Sequence, residues 1–374
     1  MYEYDDMARH SIPGLLSTYH RLLRRLGLSR SITAFLIASL ALAQSACGPS
    51  AGPEPDNNSY AGQLLFSGLR TAITSVSGRS ATEIYTVGAD LGGGGGPNFL
   101  HYDGQGWRRL STGLDAGTLW WISVEPIDGS FYLAGDPGLI LEFDPDLKSF
   151  EQHQTPGTQT MYGVWGVAED DLWAVGGNLA MPDTGGVIWH LDGEDWQVFD
   201  LSALFPSGFP LLYKVWGRSR SEVYAVGALC TVLRFDGDEW STVECDTSRS
   251  IFTVHGNADL LLGVGGFVDG VIAELIDGVF TSRAPIGFPQ MNGVFVPSMG
   301  LPVAVGNEAS LAIRTLSGWE LQETRLNTFR DFHSVWVDPE GGTWAVGGNL
   351  SLDLNDGIIA YFGSKTIRTT IDDN

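Results

Sequence analysis

The chain has 374 residues, 43% of them hydrophobic and 17% charged, and its 44 acidic against 21 basic side chains leave a formal net charge of −23. This length and apolar content suffice for one large core but leave no room for a second domain beside the repeat array described below. The negative field disfavours nucleic acid and anionic lipid surfaces as partners.

The first 47 residues read as an export signal. Arg21, Arg24, Arg25 and Arg30 precede an apolar run from Ile32 to Ala43, and such a run is shorter than the ~20 residues needed to span a bilayer. The leader before Arg21 is long, which makes Met7 an alternative start. Ala46-Cys47-Gly48 resembles the lipoprotein signal-peptidase site, with Cys47 as the lipidated N-terminus and Gly48 to Gly62, rich in Pro, Gly, Ser and Asn, as a tether. Gln44 stands where such sites carry leucine, so ordinary cleavage after Ala43 is the alternative. Pro49 in place of aspartate after Gly48 implies, by the same resemblance, outer-membrane sorting; the address is the cell envelope, as an outer-membrane lipoprotein or a secreted or periplasmic protein. Without residues 1–47 the chain keeps 16 basic and 41 acidic residues, a surplus that solubility of an exported protein explains.

From there a hydrophobic run ends in a small residue and glycine seven times: Val87-Gly88, Ala134-Gly135, Val175-Gly176, Val226-Gly227, Val264-Gly265, Val305-Gly306 and Val346-Gly347. A period near 40 residues with several short strands per unit predicts an all-β fold, a seven-bladed β-propeller with four antiparallel strands per blade, over residues 63–374. The fourth repeat is the cleanest copy, with strands at Leu212 to Gly217, Glu222 to Gly227, Thr231 to Phe235 and Trp240 to Cys245. Alternation along the first strand sets Val76, Ile122, Val164, Val215, Val254, Val294 and Val335 on one side. Ser77, Ser123, Trp165, Trp216, His255, Phe295 and Trp336 fall on the other. Aromatic residues recur at the start of the fourth strand as Trp107, Phe150, Trp196, Trp240, Phe280 and Trp319. These periodic aromatics, and His255 in a tryptophan slot, read as packing between blades rather than as a sugar platform. For ring closure two segments compete for the fourth place in the last blade. Lys365 to Thr370 is expected to take it, through a tight turn at Gly363-Ser364, with Gln63 to Ser67 adding outside.

The wording VWGRSRSEVYAVG followed by RFDGDEW, and VWGVAEDDLWAVGG followed by WHLDGEDW, resembles the repeat-bearing β-propeller lipoproteins of Gram-negative bacteria, over roughly residues 65 to 370. The resemblance implies the propeller fold and export; most members have no assigned activity. The Asp-Gly-x-x-Trp turns at Asp103, Asp192 and Asp236 are similar to the Asp-box of sialidase-type propellers, but lack the residue that box places between aspartate and glycine.

A hairpin loop from Asp236 to Glu239 sets a register in which Cys230 faces Cys245 across the third and fourth strands. In an oxidising compartment these two are expected to form a structural disulfide. A metal site at the pair lacks a neighbouring histidine or further cysteine.

Turns from first to second strand, such as Gly166 to Asp171 and Gly217 to Glu222, are short and are expected to be alike in every repeat. Connections on the opposite end vary, and the long ones belong to blades one, three and seven. A binding surface is therefore expected there, around the channel mouth. Asn178, Asp183, Asn349, Asp353, Asn355 and Asp356 are the candidate polar contacts, and Phe205 and Phe209 the candidate apolar anchors. The partner class is an unidentified protein or a glycan, with the membrane reached through the lipid anchor only and the chain acting as a monomer. The contrasting reading is a periplasmic glycan-active hydrolase with a carboxylate site at the channel mouth. Asp353-Leu354-Asn355-Asp356-Gly357 falls one residue short of a calcium loop and lacks its distal glutamate. The run Gly92 to Gly96 has no lysine or helix after it to make a phosphate cradle. No cofactor and no metal are expected, and no catalytic set stands out at recognisable spacing.

Overall fold

The computed structural model describes residues 60–350 and 353–372; the export signal, Cys47 and most of the tether, residues 1–59, lie outside the described residues. From Asn58 onward the chain is one unit. β-branched and aromatic runs separated by Gly and Asp turns form seven sheets, each with four antiparallel strands from the axis outward, in chain order in blades one to six; two of the sheets carry a further parallel strand on the outer edge. Blade four, for example, consists of Leu212–Ser219, Glu222–Gly227, Val232–Phe235 and Trp240–Thr242. No blade buries its own faces. Each apolar cluster draws on neighbours, as where Trp173, Val175 and Ile188 of blade three meet Leu212, Val223 and Leu233 of blade four. The fourth-strand aromatics Trp107, Trp196, Trp240, Phe280 and Trp319 are buried in these seams. Each such ring stabilises by roughly 4–6 kcal/mol before the entropy of ordering it is subtracted.

The marker glycine of each repeat has a steric cause. A Cβ on Gly176 would lie 2.0 Å from the carbonyl oxygen of Thr160, and one on Gly347 1.8 Å from that of Asp331; the other five meet the carbonyl before their own first strand in the same way. The crowding comes from a β-bulge. In every blade the first strand slips register opposite this glycine, between Ile73 and Ser75 in blade one and between Leu212 and Lys214 in blade four. One extra residue per blade is left outside the ladder. The Val-Trp-Gly wording is explained likewise. Trp165 packs on Gly217 of the next blade, where a Cβ would come 2.6 Å from the indole, and Trp336 packs on Gly78 across the closure of the ring.

Ring closure differs from the sequence expectation. The N-terminal strand Gln63–Leu69 is the fourth strand of blade seven, antiparallel to Asn355–Phe362 with Gln63 opposite Tyr361 and Leu69 opposite Gly357. The C-terminal segment passes beyond it, and Ile371–Asp372 runs parallel to Trp107–Arg109 on the outer edge of blade one. The reason is burial. Gln63–Leu69 offers Leu64, Leu65, Phe66 and Leu69 to the seam, whereas Lys365 to Thr370 offers Ile367 as its one large apolar side chain. Tyr60 already packs on this cluster, and the Gly62 N–H donates to the Thr324 carbonyl at 2.9 Å.

The turn predicted at Asp236 to Glu239 sets the expected register, with Phe235 opposite Trp240 and Leu233 opposite Thr242. Neither cysteine sits within that ladder, however. Cys230 belongs to a 3₁₀ turn, Ala228–Cys230, before the third strand. Glu244–Cys245 has crossed to blade five, where it pairs in parallel with Val279 and Phe280. The two are joined as a disulfide with Cα atoms 6.3 Å apart, so the bond ties blade four to a strand added to blade five. Replacing both cysteines by serine is expected to lower stability by about 3 kcal/mol, the loop-closure value for this length. Urea unfolding checks it: reductant should bring the parent down to the variant's midpoint, and an unmoved parent midpoint would contradict a covalent link.

Candidate functional site at two mouths of one channel

The strands nearest the axis surround a channel whose two ends differ. One end carries the connections between blades and those from second to third strand, and is called the loop face. The other carries the turns from first to second strand, the turn face.

At the loop face the seven bulged residues form one layer: Thr74, Trp120, Tyr162, Tyr213, Phe252, Asn292 and His333. Ring contacts link Trp120 to Tyr162 at 5.5 Å, Tyr162 to Tyr213 at 6.0 Å and Tyr213 to Phe252 at 5.4 Å. Trp120 also lies 6.4 Å from His333. A bulge frees backbone carbonyls, and side chains of neighbouring blades occupy them. Thr74 donates to Leu119 O at 2.5 Å, Thr253 to Asn292 O at 2.7 Å and Asn292 to Phe332 O at 2.7 Å. Lys214, in the next layer and 4% exposed, donates to Tyr162 O at 2.7 Å and sits 4.2 Å over the Trp121 ring. Burial without a neighbouring carboxylate lowers its pKa to about 7. Burial, with Lys214 nearby, brings His333 down to about 4.

Around this mouth stand exposed apolar side chains: Leu179 and Met181 on blade three, Leu204 and Leu229 about blade four, and Phe267 and Val268 on blade five. Ile286 and Phe329 follow on the next two connections. Phe267 touches Phe252 at 5.3 Å, joining this rim to the channel layer.

At the turn face the channel opens into a cavity of about 820 Å³ to which every blade contributes the end of its first strand. Trp165, Trp216, Phe295 and Trp336 wall it, with His255 among them. His255 stacks on Phe295 at 4.7 Å and 16°. Its Nδ1 accepts from the Val296 N–H at 2.9 Å, and burial lowers its pKa to about 3. The ring is therefore neutral, with its proton on Nε2. The ionic groups at the rim are largely used. Arg79 pairs with Glu83 at 2.7 Å and Asp146 at 2.8 Å, and Asp338 accepts from the Glu340 and Gly342 N–H groups and the Trp344 indole.

No protein-family model and no curated protein matches this chain. Solved structures do. The chain is similar to virginiamycin B lyase from Staphylococcus aureus, with TM-score 0.62 and 12% identity over 80% of this chain and 99% of that one. It is similar to YCF48 bound to D1 peptide, with TM-score 0.59 and 14% identity over 86% and 100%. It also resembles the extracellular domain of the one-component system BT4673 from B. thetaiotaomicron, with TM-score 0.57 and 13% identity, spanning 81% of this chain and 40% of that longer one. The likeness is one of fold.

The residues singled out from sequence fall into two groups on the loop face. Asn178 and Asp183 share the long loop of blade three with the connection bearing Phe205 and Phe209, stitched by bonds such as Leu211 N–H to Pro182 O at 2.7 Å. Phe209 is 8% exposed and packs with Phe205 at 5.6 Å into the seam of blades three and four. The expected apolar anchor is thus turned inward, because the connection needs it to cover Val175 and Ile188. Asn349, Asp353, Asn355 and Asp356 share the loop of blade seven. There Asn349 donates to Asn355 at 3.0 Å and Asp356 pairs with Arg330, so much of the polar set closes its own loop. Among the described residues no three His, Cys, Asp or Glu side chains gather as a metal site.

Sequence reasoning missed the channel layer and the turn-face cavity. Each layer residue stands two positions before the valine or isoleucine of its first strand, so the period held the signal. Variability of residue type, from Thr to Trp, hid it. The first-to-second-strand turns are not all alike either: blade two carries a longer one through Pro126 with a bridge between Ile127 and Ser130, and blade six another from Val296 to Pro302. Both stand at the cavity.

Proposed function

We propose that this chain is an exported, lipid-anchored binding module that docks a protein partner on its loop face at the cell envelope. The observation that carries the reading is the concentration of exposed large apolar side chains there, from Leu179 to Phe329, around a mouth filled with aromatic rings. Apolar patches on a rigid surface mark protein contacts, and aromatic anchors at their centre supply most of the affinity. Similarity of fold to a propeller bound to a peptide and to extracellular domains, together with a disulfide, supports the same reading. Cys47 is the anchor in this proposal.

The test uses the mature domain as cross-linking bait in envelope extracts, beside a variant carrying Phe267→Asp, Ile286→Asp and Phe329→Asp. A specific partner should be captured by the parent and lost from this variant, yet retained by the turn-face control Leu316→Asp. Capture that survives the triple substitution sinks the proposal.

A further inference from the structure

The cavity at the turn face plays no part in that docking reading, and its chemistry is distinct. We propose that it is a binding site for the end of a neutral oligosaccharide, held by stacking on Trp165 and by a hydrogen bond from His255 Nε2–H.

Size comes first: about 820 Å³ lies within the ~300–1,000 Å³ span of small-ligand sites. The donor comes second. Val296 N–H occupies Nδ1, so the one ring proton is on Nε2, and no described residue pairs with that nitrogen. His255 is 5% exposed and faces the cavity, held in orientation by the stack on Phe295. A fixed, neutral donor aimed into a cavity offers a hydrogen bond that a ligand acceptor can take. Charge then selects the ligand. Arg79 is already neutralised by Glu83 and Asp146 and the Asp338 carboxylate is filled by protein donors, so an anion finds no free cation. The exposed Glu125 at the rim repels it further. A cation would meet the imidazole N–H head-on. What remains is an uncharged molecule with an apolar face for the half-buried Trp165 ring and with hydroxyl groups for His255, Asn257 and Ser298. A pyranose offers both.

Titration by intrinsic tryptophan fluorescence, with calorimetry alongside, tests this on the intact mature domain. The probes are maltotriose, cellotriose and triacetylchitotriose, with trigalacturonate as the anionic control. At least one neutral trisaccharide should bind saturably and trigalacturonate should not. His255→Phe keeps a flat ring but removes the donor, and should weaken that affinity about tenfold. Because this change also strips the Val296 N–H of its acceptor, Ser298→Trp on the exposed turn provides an independent arm: it fills the mouth and should abolish binding. Phe267→Asp on the loop face should leave the titration unchanged, which separates this site from the docking proposal. Absence of binding by all three neutral sugars overturns the inference. So does equal binding of trigalacturonate, or an affinity that Ser298→Trp leaves intact.

Discussion

A chain lacking residues 1–70 is expected not to form a stable monomer, whereas one lacking only Ile371 to Asn374 should melt within a few degrees of the parent. The first deletion removes the fourth strand of blade seven. It uncovers Ile358, Ile359, Ala360, Tyr361 and Phe362, all buried in the parent, and strands an unpaired edge along Asn355–Phe362. It also takes Leu65 and the T-shaped contact of Phe66 with Trp107 at 5.6 Å, which links blades seven and one. Burial of each large aliphatic side chain contributes roughly 1.5–3 kcal/mol, and of each aromatic ring rather more. Losing several at once removes as much as the ~5–15 kcal/mol by which domains are stable. Size-exclusion chromatography and thermal melting check the result. Grafting residues 63–69 behind Gly363-Ser364 should restore the fold, since the strand enters antiparallel from that side as well. A truncated protein that melts like the parent would place the closure elsewhere.

Lys214→Met is expected to raise stability most at mildly acidic pH and to flatten its dependence on pH. In the folded protein burial holds the Lys214 pKa at about 7, against the ordinary lysine value of 10.5. Between those values the unfolded chain binds more protons than the native one, so folding stability rises with pH, by up to about 1.4 kcal/mol per unit. Below the folded pKa both states are protonated and the whole cost of the buried cation remains. The facing groups do not titrate in this window: His333 is held near about 4, Tyr162 is pushed up to about 12 by burial, and burial raises Tyr213 too. Methionine keeps the contact with Trp121 and removes the charge, although Tyr162 O loses its donor at about 1 kcal/mol. Melting curves of parent and variant from pH 6 to about 9.5 should converge as pH rises. Parallel curves would refute an amine that loses its proton inside the fold.

The seven-bladed architecture was readable because its causes are local and repeat. Glycine beneath a bulged strand stands at the same place in every period, and tryptophan over the next blade's glycine and Asp-Gly turns recur in several of them. Closure was not readable, since both ends of the chain carry a strand-like segment. The choice rests on how much apolar surface each lays into a seam, and that seam exists only once the ring has formed. The disulfide pair was readable from the hairpin register, but its placement was not, because nothing around Val243 announces that the strand leaves for blade five. The loop residues do share one end of the disc, and the structure engages some of them in closing their own loops, as with Phe209 in the seam and Asp356 paired with Arg330. His255 reads as a packing residue from its slot, and it does pack. Its second nitrogen acquires a role only when seven strand ends converge about a hollow.

The bulge in each first strand has one more consequence. The residue it ejects takes no part in the ladder and meets the first strands of neighbouring blades, through rings as at Tyr162 and Tyr213 or through bonds as at Thr74 and Asn292, so its identity can change in concert with its neighbours while the ladder and the glycine beneath it stay put. The positions holding Thr74, Trp120, Tyr162, Tyr213, Phe252, Asn292 and His333 amount to seven interchangeable fittings on a fixed frame, through which descendants of this chain can re-bore the axis without redesigning a sheet.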